Sequence, residues 1–254
     1  MSIRMIPKNS GLWNLGSSLV MTSVGLLGKL LIKATTTTEV HNLEPFLKLL
    51  TDPNRDRPII TIANHTSILD DPLLFHIFPL KTFWKREHMR WCLAAREICF
   101  TNEAFSLFFY LGQTIPIVRG DGIYQPAVDF AIDKMNDGKW IHIFPEAKVN
   151  QTGQLIRFKW GVGRIIMESK KLPIIVPFWH KGMSDIMPEG RKIPIPKAGK
   201  SLKIVFGDPI DFTTLLEESK TNKWEHTETR IKICDALFNA MNTLQNHKVS
   251  PPFK

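Results

Sequence analysis

The stretch Pro58-Ile59-Ile60-Thr61-Ile62-Ala63-Asn64-His65-Thr66-Ser67-Ile68-Leu69-Asp70-Asp71-Pro72 decides the fold. Its first six residues form a short apolar run without strict alternation, which reads as a strand buried on both faces. Polar residues and a proline follow at once, as where a strand turns into a helix. Four further runs read as strands: residues 114–118, 140–144, 172–178 and 202–206. Helical stretches lie between them at residues 73–78, 104–111, 124–136 and 157–170, and a closing helix covers 227–246. This alternation predicts an α/β fold, a single layered domain with a central, largely parallel sheet flanked by helices.

Parallel α/β sheets bind ligands beyond the carboxyl ends of their strands. Here those ends carry chemistry: Asn64 and His65, then Arg119 and Gly120, then Pro145 and Glu146, then Trp179 and His180. The sheet should therefore gather a histidine, an arginine, a glutamate and a second histidine around one crevice. A His-x4-Asp spacing can form a dyad in which the carboxylate fixes the imidazole tautomer. Five positions on a regular helix leave the two side chains about 140° apart, so a bend is needed between them. Pro72 behind Asp71 looks like an N1 proline after an N-cap, which would put His65 on the turn and Asp70 at the helix entry. The spacing occurs twice, as His65–Asp70 and as His180–Asp185, so spacing alone does not choose. Arg119 offers a planar fork to phosphate, with Gly120 and Gly122 letting backbone approach a ligand. Glu146 and Lys148 put a carboxylate and an ammonium beside the same crevice. Each of these charged groups, taken singly, also fits an ordinary surface ion pair.

Composition narrows the class. The chain has 254 residues, 43% hydrophobic and 22% charged, enough for one sizeable core. Three dispersed cysteines, Cys92, Cys99 and Cys234, make neither a disulfide scaffold nor a zinc ribbon. The net charge of +9 calls for an anionic partner. Much of the excess lies in residues 146–203, with 12 Lys and Arg against 4 Asp and Glu. Trp160 and Trp179 in that window suggest an anionic membrane surface. No RNP, KH or zinc-finger pattern supports a nucleic-acid partner. Residues 10–28 carry no charge and lie between Arg4, Lys8 and Lys29, Lys33. As a helix they would be about 28 Å long, but serines and glycines dilute them. They read as a helix lying in one leaflet, ahead of a weak full span or a buried soluble helix. This divides the chain into a membrane-associated helix, 1–33, and a catalytic domain, 34–254. With no second long apolar stretch, a multi-span transporter is excluded.

The four groups, in this order, resemble the ordered blocks of the glycerophospholipid acyltransferase superfamily. They are His65–Asp70, the run 114–120 ending in Arg119 and Gly120, Phe144-Pro145-Glu146-Ala147, and the proline-containing run 172–177. Flanking text such as Arg90-Trp91-Cys92 and Arg157-Phe158-Lys159-Trp160-Gly161 is similar to the transacylase branch. The resemblance implies that His65 is the general base on a lysophospholipid hydroxyl and Asp70 its partner. Asn64, Arg119, Gly120, Glu146 and Lys148 would hold the phosphate and glycerol groups. It implies no metal or redox cofactor and a phospholipid donor in place of acyl-coenzyme A. The implied lipids are cardiolipin, monolysocardiolipin and phosphatidylcholine, in mitochondrial membranes facing the intermembrane space. It demotes His180–Asp185. An acyl-coenzyme-A-dependent acyltransferase is the nearest alternative, and a non-catalytic lipid-binding protein the alternative from another class. One departure stands out: the family block ends in glycine where this chain has Ala147, which is costly if the backbone there needs a positive φ.

Overall fold

The computed structural model describes residues 10–191 and 195–246. Flanking residues Arg4 and Lys8 lie outside that range, as do residues 192–194 of the basic window. The elements run α1 (Gly11–Thr35), β1 (Thr36–His41), α2 (Leu43–Thr51), β2 (Ile59–Ala63), α3 (Asp70–Leu74), α4 (Leu80–Trp84), β3 (Trp91–Ala95), α5 (Arg96–Cys99) and α6 (Glu103–Leu111). They continue with β4 (Thr114–Ile117), α7 (Pro126–Asn136), β5 (Trp140–Ile143), α8 (Gly161–Glu168), β6 (Ile174–Lys181), α9 (Met183–Ile186), β7 (Lys200–Phe206), α10 (Thr213–Thr221) and α11 (His226–Asn246).

The seven strands form one sheet in the order β1-β7-β6-β2-β5-β3-β4. Every neighbouring pair is parallel except β6 and β7. Every residue of β2 is buried between β6 and β5, as its unbroken apolar run requires. Pro177, which has no N–H to donate, sits just before the antiparallel ladder to β7 begins at Phe178. One core cluster includes Val128 of α7, Ile165 of α8 and Leu237 of α11, and the other includes Phe46 of α2 and Phe75 beyond α3. Because β2, β3, β4, β5 and β6 all run the same way, their carboxyl ends share one edge.

Helix α1 packs along the body of the domain. Ser17, Met21, Gly25, Gly28 and Ile32, spaced for one helical face, are buried. Ser17 Oγ donates to Leu111 O at 2.6 Å, and Lys29 Nζ donates to His76 O and Phe78 O at 2.8 and 2.9 Å. A Cβ on Gly25 would come within 2.6 Å of the Phe83 ring, so the glycine sets how closely the helix approaches. The small and polar residues that dilute the stretch are thus partly its packing face. The opposite side exposes Leu12, Leu15, Leu19, Leu26, Leu27 and Leu30.

Two sequence expectations change here. Trp160 and Trp179 pack against the core and do not form a membrane belt. Arg157 covers the Trp160 ring at 5.1 Å. Among the described residues the exposed aromatic side chains are Trp84, Phe105, Phe108 and Tyr124. The basic window also presents less free charge than its composition suggests. Arg164 pairs with Asp129 and Glu168, Lys171 with Asp56, and Lys203 with Glu39.

Candidate active site

The turn after β2 is built around Asp70. Its Oδ2 accepts from Thr66 N at 2.7 Å, from Ser67 N at 2.9 Å and from His65 Nδ1 at 2.9 Å. The carboxylate is fully buried, so these charge-assisted bonds form in a low-dielectric setting. A further bond from Asp70 N to Ser67 O at 3.1 Å closes the turn. Helix α3 begins at Asp70, with Leu69 as its N-cap. Pro72 is therefore the third helical residue and not the first, and it still occupies the first turn, where no intrahelical N–H bond is lost. Asp71 does not cap; it turns to Arg90, whose Nε donates to Asp71 Oδ1 at 3.0 Å.

With Nδ1 donating to a carboxylate, the proton position of neutral His65 is set and Nε2 is left as its lone-pair nitrogen. The His65 ring stacks on Phe144, with centroids 4.2 Å apart, which fixes its plane. It lines a cavity of about 550 Å³ whose walls are mostly apolar. The cavity reaches Val20 and Val24 on α1 and Phe108 and Phe109 on α6. Its volume and lining suit an acyl chain. The geometry is that of a general base facing a greasy pocket.

The other expected residues divide into two groups. Arg119 lines the same cavity, half-exposed, and among the described residues its ion-pair partner is the exposed Glu97 at 3.5 Å. Such an exposed pair contributes little to stability. Gly120 and Gly122 adopt φ of 85° and 75° in the loop beyond it. Gln125 clamps that loop: its Oε1 accepts from Val118 N at 2.9 Å, and its Nε2 donates to Gly122 O at 2.6 Å. Lys148 is exposed just outside the cavity lining.

Asn64 and Glu146 are buried, and their side chains bond to protein groups. Asn64 Nδ2 donates to His180 O at 2.9 Å, and its Oδ1 accepts from His180 N at 3.0 Å. Glu146 is 1% exposed. Its Oε1 accepts from His65 N at 2.9 Å and its Oε2 from Asn150 Nδ2 at 2.6 Å. Both carboxylate oxygens are thus occupied by protein donors. In this structure Asn64 and Glu146 brace the His65 turn against β6 and the loop after β5. Ala147 has φ of 58°, the left-handed conformation for which glycine is suited.

Some cavity residues were not singled out from the sequence. Lys159 lines the cavity and offers a second cation beside Arg119. Its place in the basic stretch 157–160 was the available signal. The Asp71–Arg90 pair had none, because its partners lie 19 positions apart. Cys92 and Cys99 also line the cavity. Burial raises both thiol pKa values, Cys99 to about 11, so neither is an activated nucleophile.

Comparison with known proteins places the family and the fold. Residues 37–181 match the family model described as Acyltransferase. The chain is 39% identical over 236 residues to a tafazzin of Drosophila melanogaster, covering 93% of this chain and 62% of that protein. It is 43% identical over 196 residues to a protein of Dictyostelium discoideum named "Taffazin", covering 75% and 68%. The chain thus spans less than two thirds of its Drosophila relative's length. Among solved structures, the 1-acyl-sn-glycerophosphate acyltransferase of Thermotoga maritima matches with TM-score 0.59 and 18% identity, covering 92% of this chain and 83% of that one. That likeness supports the fold. Sequence blocks, site geometry and relatives together assign the chain to the acyltransferase family, in its tafazzin branch.

Proposed function

We propose that this chain is a phospholipid–lysophospholipid transacylase that moves an acyl group between glycerolipids without coenzyme A. The observation that carries the reading is the 2.9 Å bond from His65 Nδ1 to Asp70 Oδ2, beside an apolar cavity that His65 lines. A lysophospholipid hydroxyl gives its proton to His65 Nε2 as its oxygen attacks the ester carbonyl of the donor. Asp70 stabilises the imidazolium that forms. The tetrahedral intermediate collapses with loss of the donor's glycerol oxygen, which takes the proton back from His65. One ester bond breaks and one forms, so a single base serves both half-steps. Arg119 and Lys159 supply cations for the lipid phosphates, and the acyl chain occupies the cavity toward α1 and α6. Cardiolipin and monolysocardiolipin, with two phosphates each, suit that pair of cations. Phosphatidylcholine serves as a donor.

The same reading makes the protein monotopic. Along its length α1 is fixed to the body on one face and exposes leucines on the other. The exposed leucines, with Phe105 and Phe108 of α6 and Trp84 of α4, suit burial in one leaflet, where lipid could reach the cavity sideways. Mitochondrial membranes are the proposed site of action.

The test is a reconstitution with vesicles holding an acyl-labelled phospholipid and an unlabelled lysophospholipid. Label should move to the lysophospholipid with coenzyme A omitted. Transfer that occurs only from an added acyl thioester would overturn the transacylase reading in favour of the thioester-dependent one.

A further inference from the structure

The second His-x4-Asp pair is no dyad, because Asp185 is exposed on α9 while His180 is buried in β6. His180 nevertheless belongs to the site. Its Nε2 lies 2.7 Å from Asn64 O, the carbonyl of the peptide that leads into His65. A carbonyl only accepts, so Nε2 carries the ring proton. The same nitrogen lies 3.6 Å from Asp70 Oδ2, the oxygen that holds His65. The Asn64 amide returns two bonds to the His180 backbone, at 2.9 and 3.0 Å. This reciprocal brace ties the end of β6 to the residue before His65. Burial lowers the His180 pKa.

We propose that His180 is a positioning residue for the acyl-transfer reaction: its Nε2–H fixes the Asn64–His65 peptide and abuts Asp70, which keeps His65 in line. The proposal rests on the acyl-transfer reading above, and acts through His65 and Asp70 without any proton transfer by His180 itself. What matters is then the reach of one donor, and two amides separate reach from polarity. His180→Gln puts an amide N–H near the place of Nε2. His180→Asn puts one near Nδ1, short of Asn64 O.

The test compares both variants with the wild-type chain in transfer assays and in NMR of histidine-labelled protein, following the low-field proton of His65 Nδ1. His180→Gln should keep kcat within about threefold and keep the resonance. His180→Asn should lose at least about tenfold in kcat, with KM within about twofold, and should shift or broaden the resonance. Equal behaviour of the two variants, both active or both inactive, would overturn the proposal. So would a wild-type resonance in an impaired His180→Asn protein. Asp185→Ala should match the wild type in both readouts, and a loss of transfer there would restore the dyad reading. The resonance needs no turnover, so a wild-type protein that transfers nothing would count against the acyl-transfer reading alone.

Discussion

Asp70 shows what a single residue contributes and how much of that the sequence carries. The spacing from His65 to Asp70 made a bent pair legible, and His65 Nδ1 lies 2.9 Å from Asp70 Oδ2. The proline beyond it misled, since Leu69 and not Asp71 is the N-cap. What spacing could not give was direction. Asn64 and Glu146 flank the same crevice in sequence, yet both side chains turn inward because buried backbone N–H groups of His180 and His65 need acceptors. The Ala147 departure was also readable, since its φ is 58°. A left-handed alanine costs about 1–2 kcal/mol, and glycine gives back roughly 0.5–1 kcal/mol in lost chain entropy. Ala147→Gly should therefore stabilise the protein by about 0.5–1 kcal/mol. A urea titration checks this, and a lower midpoint would show that the methyl makes a contact worth more than the strain.

At the scale of elements, the buried strands were the easiest to read, because continuous Ile and Val runs have one stable home between two layers. Two strands escaped. The edge strand β1, Thr-Thr-Thr-Glu-Val-His, is polar on one face and looks like loop. The other, β3, is five residues, Trp-Cys-Leu-Ala-Ala, with little β-branching to mark it. The short helices α4, α5 and α9 have too few residues to show a period. Helix α1 was legible as apolar but not as two-faced, since its packing face uses Ser17, Gly25 and Gly28. That face argues against simple truncation as a test of anchoring, because removing α1 would expose Phe83 and Leu73 as well. Leu27→Ser with Leu30→Ser, both on the exposed face, should weaken sedimentation with anionic vesicles several-fold and leave the melting temperature within a few degrees. Unchanged sedimentation would remove α1 from the membrane contact.

At the scale of the whole molecule, the buried histidines make stability depend on pH. His142 is fully buried on β5, and its Nδ1 hydrogen-bonds with Thr61 Oγ1, which accepts from Trp140 Nε1. Burial pushes its pKa down to about 3 from an ordinary 6.5. His76 and His180 are lowered by burial in the same direction. Between about 3 and 6.5 the unfolded chain binds the proton that folded His142 refuses. The stability is fully present above 6.5 and is lost as pH falls through that window, by up to about 1.4 kcal/mol per pH unit for His142. His142→Asn, whose amide can donate to or accept from Thr61, should flatten the fall in denaturation midpoint across the window. A slope as steep as the wild type's would assign the acid sensitivity to other groups.

The fold brings five strand ends to one edge; the proposal that His65 there acts on an acyl ester is tested most directly by His65→Ala. Acyl transfer from phospholipid to lysophospholipid is measured for the wild type and the variant at equal vesicle-bound protein, with circular dichroism to confirm folding. Transfer should fall by about 10²–10⁴-fold, the usual contribution of a general base, while the melting transition is retained. A folded His65→Ala protein that transfers acyl groups at a rate near the wild type's would contradict the account.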